Sequence, residues 1–326
     1  MFRLATVFFV SIWVGAAFAQ APQSGSSYPS RPIRLIVHFP PGGSTDTVSR
    51  IFGPVLAERL GKPVIVDNRP GGNGVIGAEI AAKSAPDGHT LFVASASVLV
   101  LNPILRQNLP YDPLRDFVPI TRLVTSPFIV AINPSLIPAA SVRELIAAVK
   151  AKPGQVAFAS GGNGSAMHLA GELFRLLAGL EMIHVPYKGN GPAMADLAGG
   201  QVPMAFVDLG STSAFSKSGR VRILAIAASQ RTTLAPELPT AAESGLPNWE
   251  ALGWYGLVAP AGTPADIINR VNTEMIAILK LPEIRARIVA TGSEPAPNTP
   301  GEFDGYIKSE IGKWTKVIKE AGIKVE

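Results

Sequence analysis

The sequence contains no cysteine among its 326 residues, and only 16% of them are charged and 7% aromatic. Without cysteine the chain has no disulfide to form and no thiol to protect in an oxidising compartment. A cysteine nucleophile is excluded as well. Basic residues exceed acidic ones by 29 to 24, but they are scattered along the chain. Nucleic-acid binding would need a clustered basic stripe with aromatic residues interleaved, so we expect no nucleic-acid partner.

Signatures of catalysis are missing too. No Gly-x-Ser-x-Gly turn and no His-Glu-x-x-His helix occurs, and His38, His89 and His184 have no second ligand at metal spacing. A string that matches the dinucleotide fingerprint, Gly72 to Gly77, lacks an acidic residue about 20 positions further on, so we interpret it as a structural turn. We therefore expect a protein that is not an enzyme, with no catalytic residues, no metal and no cofactor.

The N-terminus has the form of a secretory signal peptide. Arg3 precedes an apolar run over 4–14, and Ala17-Phe18-Ala19 is a small-x-small cleavage site. The alternative is an uncleaved anchor, but the run is short for a membrane span, and no later segment is apolar enough. We predict a signal peptide at 1–19, a disordered leader at 20–30 and a mature protein in the periplasm.

A unit of strand, glycine-rich loop, helix and strand is used twice, over residues 34–67 and 155–186. The two loops, at 40–46 and 161–165, each precede a helix. Free backbone N–H groups and the positive end of the helix dipole then point at one place, which favours an anion. Two such loops predict a small anionic ligand held from both sides, which is typical of a receptor.

Short apolar runs alternate with helix-period stretches nearly throughout, a pattern typical of α/β architecture with mostly parallel strands. The length suggests two domains. We interpret the apolar strands near 121–132 and 253–258 as crossings between them. This predicts a discontinuous first domain (31–125 with 251–326), a second domain (126–250) and a two-strand hinge that permits closure on a ligand.

Particular residues of the loops leave alternatives open. The first loop could be an ordinary strand-to-helix turn rather than a ligand site. Asp46 is unusual beside an anion: it could cap backbone N–H groups, pair with Arg50 one turn later, or orient a water or a ligand amine. His168, in the first turn of the second helix, could donate to an anion or cap the loop.

Beyond these patterns, the chain closely resembles the substrate-binding receptors of tripartite tricarboxylate transporters, the Bug family. The likeness covers nearly the whole mature chain, and its motifs include the first loop, Pro40-Pro41-Gly42-Gly43-Ser44-Thr45-Asp46. Many spaced matches make the resemblance specific. The matching segments are 28–33, 40–46, 66–72, 86–91, 168–174, 185–189, 238–245 and 259–264.

The resemblance implies a type II periplasmic-binding-protein-like fold, in which two α/β domains joined by a two-strand hinge close on a ligand in the cleft between them. It also implies that backbone groups, hydroxyls and ordered waters, rather than an arginine, hold a ligand carboxylate. Carried over by position, the ligand-binding residues are Phe39, Gly42, Gly43, Thr45, Asp46, Ser95, Ser97, Ser160, Gly162, Ser165, His168, Gly189, Asn190 and Asp208.

Two positions depart from the usual pattern of the family. Asn190 replaces a common glycine, and Val207-Asp208 stands where Asp-Asn is frequent. If Asp208 faces the cleft, we expect it to favour an amine, amide or hydroxyl of the ligand over a second carboxylate.

The sequence therefore predicts an extracytoplasmic receptor, acting as a monomer, that captures a small carboxylate. Its expected partners are the membrane permease subunits of a tripartite tricarboxylate-type transporter. The alternative is a ligand sensor that docks on a periplasmic sensor domain, such as that of a sensor kinase. Both functions need only ligand-driven closure, so the sequence does not separate them.

Overall fold

Residues 28–42, 44–212, 215 and 219–323 are described by the structure, a computed structural model. The predicted signal peptide (1–19), most of the predicted leader and the candidate ligand residue Gly43 lie outside the described residues. Among the helices that the structure describes, none is long and apolar enough to cross a membrane.

Strands and helices alternate along most of the described chain, as the sequence predicts. The strands are β1 (Ile33–Val37), β2 (Val64–Asn68), β3 (Thr90–Ser95), β4 (Phe117–Ile132), β5 (Val156–Ser160), β6 (Met182–Pro186), β7 (Met204–Asp208), β8 (Arg222–Ile226), β9 (Leu252–Pro260) and β10 (Glu294–Pro295). The helices are α1 (Ser44–Leu60), α2 (Val75–Ala82), α3 (Asn102–Leu105), α4 (Val142–Lys150), α5 (Ala166–Ala178), α6 (Asn190–Gly199), α7 (Ala265–Lys280), α8 (Pro282–Val289) and α9 (Pro300–Ala321).

The strands pair in the order β2-β1-β3-β9-β4-β7-β5-β6, with β8 and β10 also paired to β4. Strand β4, 16 residues long, changes partners partway: Phe117–Pro127 pairs with β9, and Phe128–Ile132 pairs with β7 and β8. We call the part from β2 to β9, with Phe117–Pro127, the first sheet. The second sheet consists of β5, β6, β7 and β8 with Phe128–Ile132. One long strand thus joins two α/β halves.

The alternation of strands and helices matches the prediction, but the expectation of mostly parallel strands is wrong. Among the described strands, β4 pairs antiparallel with β7, β8, β9 and β10, and β3 pairs antiparallel with β9. In the first sheet β1 is parallel to β2 and β3, and in the second β5 is parallel to β6 and β7. Strand β9, which the sequence suggests as a second crossing, pairs among the described strands with β3 and with the Phe117–Pro127 part of β4, both in the first sheet. The domain boundaries at 125/126 and 250/251 stay a prediction.

Helix α1 shows how the sequence pattern becomes packing. Val48, Ile51, Phe52 and Leu56 recur at helical spacing and are buried against the first sheet and α7. Burying one such side chain contributes about 1.5–3 kcal/mol relative to leaving it exposed. The helix ends at Leu60 as predicted, because Gly61 adopts a positive φ of 72°, which glycine tolerates without steric cost.

Helix α9 packs on both halves of the molecule, against β4 and α5. Its Phe303 and Trp314 belong to the same apolar cluster as Phe158, Phe174 and Trp249 of the second half. Apolar contacts therefore hold the two sheets together in addition to the continuous strand β4.

Candidate functional site

A cleft of about 350 Å³ lies where the two halves meet. Much of its lining follows the carboxyl ends of β1, β2, β3, β5, β6 and β7, the edge where ligands bind in open α/β sheets. The rest comes from β4, β9 and the segment after α8. The lining residues are Phe39, Asn73, Ser95, Ala96, Ser97, Ser126, Phe128, Gly161, Ser165, Ala166, Met167, Gly189, Asn190, Asp208, Gly253, Trp254, Tyr255, Thr291 and Ser293.

The structure brings part of the predicted ligand set together around this cleft and leaves part of it outside. The predicted residues on the lining are Phe39, Ser95, Ser97, Ser165, Gly189, Asn190 and Asp208. The described ones that are not on the lining are Gly42, Thr45, Asp46, Ser160, Gly162 and His168. Ligand contact by any of these residues stays a prediction.

The carboxylate of Asp46 is hydrogen-bonded to neighbouring residues of the protein. Its carboxylate accepts hydrogen bonds from Gly42 N at 2.8 Å, Arg50 Nε at 3.0 Å and Asn68 Nδ2 at 3.0 Å. Burial acts to raise the pKa of Asp46, but the hydrogen bonds from Arg50, Gly42 and Asn68 outweigh it and leave the pKa below its usual value. Of the alternatives left open by the sequence, capping and pairing with Arg50 are the ones observed. Thr45 beside it is fully buried, and its Oγ1 has no hydrogen-bond partner among the residues that the structure describes.

His168 caps the second loop. Its Nδ1 accepts a hydrogen bond from Gly164 N at 3.2 Å, and its ring stacks on His184 with centroids 3.7 Å apart. Burial, the neighbouring His184 and Arg175 lower the pKa of His168 to about 3, so the ring is neutral at neutral pH. Because Nδ1 is used as an acceptor and the ring carries no charge, the structure favours the capping alternative for His168 over donation to an anion.

Ser160 and Gly162 also make hydrogen bonds that stabilise the conformation of this loop. Ser160 is fully buried, its Oγ lies 2.7 Å from His184 Nε2, and it accepts from Gly162 N at 3.2 Å. Burial lowers the pKa of His184 to about 4, so this ring is neutral as well. The loop that precedes α5 is therefore held by its own polar groups, which leaves the start of α5 to face the cleft.

Hydrogen-bond donors converge on the cleft at the start of α5. Ser165 is the N-cap residue, and its Oγ accepts from His168 N at 3.2 Å. The N–H groups of Ala166 and Met167 follow directly, and the first turn of a helix has no intrahelical acceptors for them. Both residues line the cleft. The first turn of α5 contains no acidic residue, so its partial positive charge is not compensated from within.

Trp254 adds a donor from β9. Its side chain is 1% exposed, and its Nε1 is buried without a hydrogen-bond partner. The indole packs edge-to-face on Phe303 and Tyr306 of α9, which fixes the ring from behind. An indole nitrogen can only donate, so Nε1 is a donor without an acceptor among the described residues.

Ser95 lines the cleft, and the hydrogen-bonding role of its hydroxyl is fixed by His38. His38 Nδ1 lies 2.9 Å from the carbonyl oxygen of Val93, which can only accept, so Nδ1 carries the proton. Burial lowers the pKa of His38 to about 4, and its Nε2 is then an unprotonated acceptor. Ser95 Oγ, 3.0 Å away, donates its only proton to Nε2. Ser95 can thus offer only lone pairs to a further partner.

Several lining residues were not found by sequence reasoning. Asn73 lies in the turn between Gly72 and Gly74 with a φ of 55°, and it exchanges hydrogen bonds with Asn102. Its position between two glycines after a strand was a usable signal. Trp254 and Ser293 had no such signal, because β9 and the segment after α8 join the cleft only through tertiary pairing.

Comparisons with known proteins agree on one family. A model of the "Tripartite tricarboxylate transporter family receptor" matches residues 48–323. Protein BugT of Bordetella pertussis is 41% identical over 327 residues, covering 100% of this chain and 99% of that protein. The structure of R. palustris Rpa4515 with adipate is 33% identical, with a TM-score of 0.80 over 91% of this chain and 99% of the other. MatC from Rhodopseudomonas palustris with bound malate is 31% identical, with a TM-score of 0.75 over 89% and 100%. The predicted fold class is confirmed.

Proposed function

The chain belongs to the tripartite tricarboxylate transporter receptor family, as its sequence predicts, and from that premise we propose that it is the solute receptor of such a transporter. It captures a small carboxylate in the cleft by closure of its two halves and delivers the ligand to the membrane permease subunits. The family consists of solute receptors of the periplasm rather than enzymes, and the proposal includes no catalytic step. Two relatives were solved with dicarboxylates, adipate and malate.

The observation that supports this function best is the set of neutral donors at the start of α5. Ser165, Ala166 and Met167 present a hydroxyl and two backbone N–H groups at a helix N-terminus, which suits a carboxylate. Trp254 Nε1 adds a donor that has no partner among the described residues. An unsatisfied buried donor costs about 1–3 kcal/mol, so a ligand oxygen that accepts from it would recover that free energy.

Closure of the two halves on a ligand is expected because the groups that would contact the ligand are divided between them. The start of α5 belongs to the second half, whereas Phe39, Ser95 and Trp254 belong to the first. A ligand in contact with both sets is fully satisfied only when the halves approach, so binding favours the closed arrangement.

The rim of the cleft already carries contacts between the halves. Glu294 Oε1, on β10, accepts from Thr233 N at 2.8 Å and Thr232 Oγ1 at 3.0 Å. Gly292 leaves no room for a side chain, because a Cβ there would lie 2.9 Å from the nitrogen of Gly210. These contacts are the surfaces that opening would separate.

The first experiment is thermal melting of the mature protein with a panel of small acids: citrate, malate, succinate, adipate, glutamate, aspartate, nicotinate and benzoate. A ligand at about 100 times its dissociation constant adds about 2.7 kcal/mol of stability. We expect a clear rise in Tm with at least one acid. No rise with any of them would contradict carboxylate capture.

A matched pair of variants ties that rise to the cleft. Gly161→Ala places a Cβ on the lining, 2.7 Å from Asn190 Oδ1 and 3.1 Å from Met167 Cε, whereas a Cβ at Gly312 on α9 meets nothing within 4 Å. We expect Gly161→Ala to weaken ligand binding about tenfold, or ~1.4 kcal/mol, and Gly312→Ala to leave it unchanged. Equal affinities in the two variants would place the ligand elsewhere. Delivery is tested by uptake of the identified acid in cells with and without the receptor.

A further inference from the structure

Asp208, at the end of β7, is held as a hydrogen-bond acceptor. Its Oδ1 accepts from Ser211 N at 2.9 Å and its Oδ2 from Ser211 Oγ at 2.8 Å, and Asn190 Nδ2 also donates to Oδ2. These three donors, which all belong to the described residues, fix the orientation of the carboxylate. Of its roughly four lone-pair sites they leave one for a partner in the cleft.

The bond to Asp208 sets the orientation of the Asn190 amide. If the amide were turned over, its oxygen would face the carboxylate oxygen, and two acceptors would meet without a proton between them. The observed orientation directs Asn190 Oδ1 away from Asp208. That oxygen is buried and has no hydrogen-bond partner among the described residues. It lies beside the loop of the second half, because a Cβ on Gly161 would be 2.7 Å from it.

The lining adds no positive charge near this pair. Among the lining residues in the described part of the chain, Asp208 is the only one with a charged side chain. A ligand carboxylate placed against it would meet a like charge and an amide oxygen, neither of which donates. An ammonium group would meet opposite charge and two acceptors.

We infer that the ligand carries, besides the carboxylate of the proposed function, a second group that donates hydrogen bonds, and that Asn190 Oδ1 and Asp208 accept from it. An ammonium group suits this acceptor pair best, a primary amide less well, and a second carboxylate worst. This inference rests on the proposed receptor function and names the class of its substrate: a monocarboxylate with an amino or amide group, in contrast to the dicarboxylates bound by Rpa4515 and MatC.

Ser95 is consistent with such a ligand. Because its proton is committed to His38 Nε2, it too can only accept from whatever enters the cleft. The acceptors Ser95, Asn190 and Asp208 therefore come from both halves of the cleft.

The test compares ligands of equal length that differ in one end group. The six-carbon set is hexanoate, adipate, adipic acid monoamide and 6-aminohexanoate, and the four-carbon set is butanoate, succinate, succinamate and 4-aminobutanoate. Dissociation constants are measured by calorimetry for the native protein, Asp208→Asn and the control Asp304→Asn. Asp304 pairs with Lys308 on the surface of α9 and is not on the lining.

In the set that binds, we expect the amino acid to bind at least tenfold more tightly than the diacid, with the monoamide between them. Asp208→Asn should weaken binding of the amino acid at least tenfold and strengthen binding of the diacid, while Asp304→Asn changes neither. Melting of the unliganded variants shows that they are folded.

The outcomes separate the two proposals. If the diacid binds most tightly to the native protein, or if Asp208→Asn leaves the order unchanged, this inference is overturned and the receptor function stands. If no acid of either set or of the earlier panel binds, the receptor function itself is contradicted, and the inference falls with it.

Discussion

The two glycine loops look alike in sequence but differ in how the charge at the following helix is balanced. Helix α1 has Asp46 in its first turn, and that carboxylate accepts from Gly42 N and from Arg50. Helix α5 has no acidic residue in its first turn, and Ala166 and Met167 line the cleft. A helix N-terminus attracts an anion, and an anion within the chain satisfies it as well as a ligand does. In the first half, the positive end of the helix is therefore balanced by the carboxylate of Asp46. In the second half, no acidic residue in the first turn balances it.

The strongest way to break this comparison is to give α5 a carboxylate of its own. Met167→Asp places one on the cleft lining at the start of α5. Two unit charges about 4 Å apart repel by about 4 kcal/mol at an effective dielectric constant of about 20. We expect carboxylate affinity, measured by calorimetry, to fall at least 100-fold, or about 2.7 kcal/mol. Met167→Asn is the neutral control and should retain most of the affinity. An equal loss in both variants would show that shape, not charge, matters at this position.

The reverse change removes the carboxylate from the start of α1 and tests whether Asp46 stabilises the first loop or contacts the ligand. Asp46→Ala removes the acceptor of the Gly42 and Asn68 hydrogen bonds, and we expect it to cost about 2 kcal/mol of unfolding free energy, measured by denaturant titration. The pair with solvent-exposed Arg50 adds little. Ligand affinity should change less than threefold. A large loss of affinity with little loss of stability would mean that the first loop contacts the ligand directly.

Trp254→Phe tests whether the first half contributes its own donor. The variant keeps an aromatic ring against Phe303 and Tyr306 but removes Nε1. Because Nε1 has no partner in the part of the chain that the structure describes, stability without ligand should not fall through loss of a hydrogen bond. Carboxylate affinity should fall about tenfold, since a hydrogen bond to a charged group contributes about 1.5–3 kcal/mol. Unchanged affinity would remove Trp254 from the site and leave α5 as the main source of donors.

The smallest expected effect is the pH dependence of binding. The folded protein holds the pKa of His168 at about 3 and that of His184 at about 4, so both rings stay neutral from pH 8 to 6. Affinity for a carboxylate that stays ionised should be flat over this range. If His168 donated as a cation, affinity would rise as the pH falls toward 6.

Stability should behave differently over a lower range. The unfolded chain protonates His168, His184 and also His38 near their ordinary value of about 6.5, whereas the folded protein does so only near 3 to 4. The unfolded state therefore binds more protons in this window, and stability falls as the pH drops below about 6.5. Tm measured from pH 7 to 5 should decrease. A constant Tm would contradict the buried, neutral rings.

Much of the fold was predictable because it depends on local chemistry. Leu60 followed by Gly61 marks the end of α1, and the buried strand that ends before Asn133 is observed as the end of β4. The lining of the cleft was predictable in part for the same reason: Phe39 and Ser165 lie in the loops that follow β1 and β5, and both loops reach the cleft. Ligand contact by these residues stays a prediction. His168 shows the limit, because only its contacts with Gly164 and His184 favour the cap over the anion donor.

The sequence by itself determined the alternation of strands and helices, the two glycine loops and the acidic residue that distinguishes one from the other. These features depend on periodicity, backbone freedom and charge within a few residues. Only the tertiary structure decided which polar atoms are left without partners. Asn190 meets Asp208 across 18 positions of the chain, and Trp254 is placed between α9 and the cleft by the pairing of β9 with β3 and β4. Such atoms define what a ligand must offer, and their partners come from segments that no local pattern brings together.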